Sequence, residues 1–190
     1  MFETPMGVDL SPSRRLQRWP RAPELLGPVA QVAAAFPELS GLRIRIDLLP
    51  PGSRRLGTAS ILERPPRVAF HPRLAGNPRE LAATAAHEFM HLLQWPLHQV
   101  PNGERACDLY VLARFGTRFQ GPPCYLKVPR KAREDWEPWA PLAADLARQA
   151  LEERRQGRRQ YLRWWEDEFR SRFPGGVSTA WGPEMVASAP

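Results

Sequence analysis

Asn77-Pro78-Arg79-Glu80 opens the most tightly specified segment of the chain, and that segment limits what the rest can fold into. An asparagine side chain can accept a hydrogen bond from an amide of the first helical turn. Proline suits the first helical position, and Glu80 completes a capping-box pattern. The helix is expected to run to about Trp95, where Pro96 stops it. Leu81, Ala85, Phe89 and Leu92 share one apolar face that has to pack into a core, and the opposite side carries His87, Glu88 and His91.

Residues four apart on a helix lie on one face, so His87 and His91 can direct two imidazole nitrogens at one metal ion. Glu88 is offset from that geometry and lies beside a water held there. The H-E-x-x-H pattern is therefore two ligands and a general base on one rigid rod. Zinc (Zn2+) lowers the pKa of its water to about 7, and Glu88 can take the proton and pass it to a leaving amine. With 4 histidines in 190 residues, chance placement gives the pattern about 0.006 times. The alternative is a helix with two incidental histidines.

A catalytic zinc needs a third protein ligand and an open fourth position. Glu104 and Asp108 lie on one face of the next helix, expected over residues 104–115. At this point the chain resembles the zincin metallopeptidases, and among them the gluzincins. It also looks like the minimal zincins, including the regulatory ImmA/IrrE type. The resemblance covers residues 67–115 and implies His87, His91 and Glu104 as metal ligands, Glu88 as base, and Asp108 orienting His87. It also implies that the strand before the helix, residues 67–71, is an edge that pairs with extended substrate. Only twelve residues separate His91 from Glu104, fewer than in larger gluzincins, which leaves Asp108 open as the third ligand. The metzincin pattern wants glycine and histidine where Gln94 and Leu97 stand; His98 is one position late.

The other segments suggest an α+β domain with a short mixed sheet. Residues 23–36 carry apolar residues at helical spacing, with Gly27 and Pro28 suggesting a kink. Residues 42–48 alternate as a strand with one buried face, and residues 57–62 and 67–71 read as two more strands. Residues 133–173 read as helical, interrupted near Pro138, Pro141 and Gly157. The expected organisation is an N-terminal arm over 1–21, a zincin-like core over 22–128, a helical extension packed on it over 129–173, and a tail over 174–190.

The net charge of +7 invites a nucleic-acid reading. However, only Lys127 and Lys131 among the basic residues are lysine, and proline is abundant. That bias matches a high-GC genome or a thermophile as well as it matches a phosphate-binding surface. Tyr161, Trp164, Trp165 and Phe169 lie among arginines such as Arg158 and Arg159. Leu162, Trp165 and Phe169 nevertheless sit at helical spacing, and Glu166, Asp167 and Glu168 interrupt the charge, which favours a docked amphipathic helix. Cys107 and Cys124 lack metal-ligand spacing and are expected to be reduced thiols, Cys107 filling core. His71, Arg114 and Tyr125 are candidate donors to an oxyanion. No apolar run suggests a secretory signal or a membrane span, so a cytoplasmic location is expected.

The expected function is zinc-dependent hydrolysis of a peptide or protein substrate. The alternatives are a regulatory or non-catalytic protein using the scaffold with a mainly structural zinc, and a nucleic-acid binder acting through the Arg-rich C-terminal helix.

Overall fold

The computed structural model describes residues 7–116, 118 and 121–173. Its architecture is α+β: four short strands in one mixed sheet and seven α-helices among the described residues. The strands are β1 (Asp9–Pro12), β2 (Arg43–Leu48), β3 (Gly57–Ser60) and β4 (Arg67–Phe70), in the spatial order β1-β2-β4-β3. β2 pairs in parallel with both β1 and β4, while β3 runs antiparallel to β4.

The alternation in β2 holds. Ile44, Ile46 and Leu48 are buried, and Val68 lies opposite Ile46 in the β4 register. The other set of side chains carries an ionic cluster in which Arg67 Nε donates to Asp47 Oδ2 at 3.0 Å. Against the apolar side pack α2 (Ala22–Ala33) and α3 (Pro78–Gln94). The expected face of α3 is buried throughout: Leu81, Ala85, Phe89 and Leu92 all lie in the core with Phe36, Phe70 and Val29. Helix α2 continues through Pro28.

Two expectations need correction. The expected N-terminal arm is integrated into the fold from residue 9 onward. β1 is a sheet strand, and Leu16 of α1 (Arg14–Gln17) is fully buried. The reason is local chemistry: Ser13 caps α1 by accepting from Leu16 N–H at 3.1 Å and donates its hydroxyl to Asp47 Oδ1 at 2.7 Å. Residues 1–6 lie outside the described residues, as does the expected tail over 174–190. The second correction concerns the sheet edge. β4, the strand that precedes α3, is internal, because β2 and β3 flank it; the edges among the described residues are β1 and β3.

The C-terminal half builds a second core. Helix α4 (Glu104–Phe115) contributes Leu109 and Leu112 to it. The short α5 (Arg130–Glu134), α6 (Ala140–Arg155) and α7 (Tyr161–Arg172) supply most of the rest. Trp165 and Phe169 stack at 5.2 Å in its centre, and Trp165 Nε1 donates to Ala143 O at 3.1 Å. An aromatic side chain of this kind gains about 1.5–3 kcal/mol on full burial, which accounts for the docking of α7. Leu126 already belongs to this core, so the helical extension is anchored before residue 129. Arginines of the C-terminal segment are matched by acids: Arg155 by Glu152, Arg158 by Glu153, Arg163 by Asp167 and Arg172 by Glu168. Among the described residues no helix is long and apolar enough to cross a membrane.

Candidate metal centre

Helix α3 begins as its sequence requires. Asn77 Oδ1 accepts from Glu80 N–H at 3.2 Å, and the Asn77 side-chain amide donates to Glu80 Oε2 at 3.1 Å. From this fixed start the helix carries His87 and His91 to the side facing α4, while the Glu88 side chain lies against Gly57 of β3. Helix α4 is preceded by Gly103, whose φ of 107° only glycine adopts readily, and this allows the short connection from α3.

Each histidine has one nitrogen committed to an acceptor. His87 Nδ1 lies 3.0 Å from Asp108 Oδ1, and His91 Nδ1 lies 2.9 Å from Gln94 Oε1. The Gln94 amide nitrogen donates to Pro101 O at 2.6 Å and Gly103 O at 2.9 Å, so its oxygen is the end that faces His91. These acceptors make Nδ1 the donor of each ring, so Nε2, once it gives up its own proton, is the atom that each ring can offer to a metal ion. The two Nε2 atoms converge on one carboxylate oxygen: Glu104 Oε2 is 2.8 Å from His87 and 3.2 Å from His91. Cys107 also reaches the pair, with Sγ at 3.3 Å from His91 Nδ1 and 3.9 Å from Nε2. His87, His91 and Cys107 offer ligand atoms within 4.8 Å of one another and could hold a metal ion. Cys107 fills core as expected, and its sulfur also lies beside the histidine pair.

Electrostatics follow from this crowding. Burial pulls the His87 pKa down, but its bonds to Asp108 and Glu104 outweigh that and push it up to about 10. His91 is raised as well, burial again opposing its bonds to Glu104 and Gln94. Glu104 is held well below the usual carboxylate range by its bonds to the two histidines. These carboxylates favour positive charge at the histidine pair, as a cation site requires. Burial pushes the Cys107 thiol up, assisted by the negative Glu104 and Asp108.

Glu88 is 7 % exposed, and burial raises its pKa while the neighbouring histidines oppose the rise. Asp108, also buried, accepts Tyr125 N–H at 2.6 Å and Leu126 N–H at 3.1 Å on Oδ2 while Oδ1 holds His87. That loop lays the Tyr125 ring over His87, centroids 5.5 Å apart and nearly parallel. A cavity of about 440 Å³ borders the centre, lined in part by Glu104, Tyr125 and Leu162.

Three candidate residues do not join the site. The His71 ring is used by Pro51 O and Arg73 N–H at a tight turn. Arg114 pairs with Glu38 and lies over Phe36. His98 packs edge-on against Trp95. Gln94 was legible only as a non-glycine at a position where another pattern wants glycine. Its spacing of three residues after His91 on one helix face is the signal that could have found it. Compared with protein-family models, curated proteins and solved structures, the chain gives no significant match.

Proposed function

We propose that the chain is a zinc-dependent metallopeptidase. The reading is supported above all by the convergence of the two histidine Nε2 atoms on Glu104 Oε2, with both Nδ1 atoms committed elsewhere. Two imidazoles and a carboxylate form a donor set that fits zinc. His87, His91 and Glu104 would hold the ion, Asp108 and Gln94 orienting the rings. When bound, zinc supplies Lewis acidity that polarises a scissile carbonyl and acidifies water.

The remaining chemistry belongs to the chain. Glu88, a buried carboxylate with a raised pKa beside the histidines, takes a proton from the attacking water and delivers it to the departing amine as the C–N bond breaks. The half-exposed Tyr125 and the cavity beside it offer a surface on which a peptide can lie. The test combines two measurements. Purified protein is expected to carry about one zinc per chain, lost in His87→Ala and His91→Ala. Glu88→Gln is expected to keep zinc and lose peptide hydrolysis; hydrolysis that survives this change sinks the mechanism.

A second reading is favoured by the sulfur of Cys107 beside His91. Cys107 would then replace Glu104 as third ligand, in a mainly structural, non-catalytic centre. Cobalt substitution separates the two, since a thiolate ligand adds a sulfur-to-metal charge-transfer band and a carboxylate does not.

A further inference from the structure

We propose that Gly57 is a positioning residue for Glu88, its missing side chain providing the space in which the edge strand β3 holds the base against α3. The inference rests on the reading of Glu88 as general base. Gly57 opens β3, and a Cβ built on it would lie 2.7 Å from Glu88 Oε1, 2.8 Å from Glu88 Cγ and 2.7 Å from Thr84 Cγ2. Favourable non-bonded carbon contacts begin at about 3.5 Å, so something has to move when a methyl group is added. Backbone conformation does not explain the glycine. Gly57 is not among the positive-φ glycines, which are Gly41, Gly76, Gly103, Gly116 and Gly157. Space is the reason for glycine here.

Which group yields decides the consequence. The strand is fixed: Gly57 pairs with Phe70 in the β4 register, and the adjacent Leu56 O accepts His71 N–H at 2.7 Å. Thr84 is a stiff β-branched side chain whose hydroxyl donates to Glu80 O at 2.8 Å. The long Glu88 side chain is the flexible partner, so a Cβ at position 57 displaces its carboxylate. The Thr84 methyl, at 2.7 Å, has to give a little as well, so the fold loses some stability. The cost to the reaction is large because the Glu88 side chain is the base, and misplacement by about 1 Å can reduce a rate about a hundredfold.

The experiment is a double-mutant cycle on zinc-loaded protein with a peptide substrate. Gly57→Ala is expected to keep zinc content, to lower kcat by about tenfold to a hundredfold, and to change KM by less than about twofold. In a Glu88→Gln background the same change is expected to alter the residual rate by less than about twofold, because the group it acts through is already gone. Equal losses in both backgrounds, or an unchanged kcat, would overturn the proposal. If Gly57→Ala does not fold, adding Thr84→Ser removes the methyl at 2.7 Å and leaves Glu88 alone to yield. An inactive zinc-loaded wild type would refute the peptidase reading but still leave the placement decidable by NMR. Nuclear Overhauser contacts between Gly57 Hα and the Glu88 side chain are expected in the wild type. They are expected to be lost from Glu88 in Gly57→Ala while the His87–Tyr125 contacts persist. A Glu88 environment unchanged by Gly57→Ala overturns the proposal regardless of activity.

Discussion

Gln94 serves His91 in two ways. Its oxygen accepts the Nδ1 proton, and its nitrogen grips the carbonyls of Pro101 and Gly103 at the start of α4. Removing the amide frees the ring to change tautomer and loosens the turn that delivers Glu104. Loss of such an orienting partner costs about 10–100-fold in metal affinity, and Gln94→Leu is expected to weaken zinc by that amount in competition with a chelator. Unchanged affinity would show that His91 is oriented by something else. The choice between the two candidate third donors is also a single-residue question. Glu104 Oε2 lies between both Nε2 atoms, whereas the Cys107 sulfur is nearer to Nδ1 than to Nε2 of His91. Glu104→Gln is therefore expected to reduce zinc affinity far more than Cys107→Ser, and the reverse order would make sulfur the ligand.

The element that was hardest to read from sequence is also the one whose anchoring makes a pH-dependent prediction. β1 has only four residues, DLSP, too few for alternation to show, and a proline ends it. Its place depends on Asp47, which lies 34 residues beyond Ser13 and accepts that hydroxyl, Leu48 N–H and Arg67 Nε together. Burial alone would raise the Asp47 pKa, but these bonds prevail and hold it below its ordinary value. A depressed folded-state pKa contributes stability that is complete above the unfolded value of about 3.9 and is lost as pH falls through the folded value. Asp47→Asn is expected to lower stability by about 1–3 kcal/mol at neutral pH, with the gap to wild type narrowing in acid denaturation series below about pH 4. A gap independent of pH would remove the carboxylate from the account. By contrast, α3 and β2 were legible because their signals are local. The Asn77 cap, Pro78 and the apolar period specify the one, and strict alternation over RIRIDL the other. The positions of Cys107 and Tyr125 at the histidines were not legible, because contacts between α3, α4 and the 121–128 loop create them.

Over the whole molecule, the candidate centre lies where two cores share α4. Cys107 and Phe115 belong to the core under the sheet, and Leu109 and Leu112 to the helical one. Asp108 joins them chemically, with one oxygen on His87 and the other on the amides of Tyr125 and Leu126. The next amide, Lys127 N–H, donates at 2.8 Å to Glu166 of α7, a buried carboxylate that also pairs with Arg105 of α4. A cation that fixes His87 thereby also fixes the loop that ties α7 down. A ligand at a hundredfold over its Kd stabilises the native state by about 2.7 kcal/mol, and it slows any opening that releases it by about a hundredfold. Zinc at that excess is therefore expected to slow hydrogen exchange at Tyr125 and Leu126 by up to this factor, together with amides buried in α3. Asp108→Asn weakens the acceptor shared by the ring and the loop, so it is expected to diminish the slowing at Tyr125 and Leu126 more than that in α3. Zinc-dependent protection confined to α3 and α4 in the wild type would mean that the C-terminal core is indifferent to the centre. Equal protection in the Asp108 variant would mean that the coupling runs through packing, with the carboxylate playing no part.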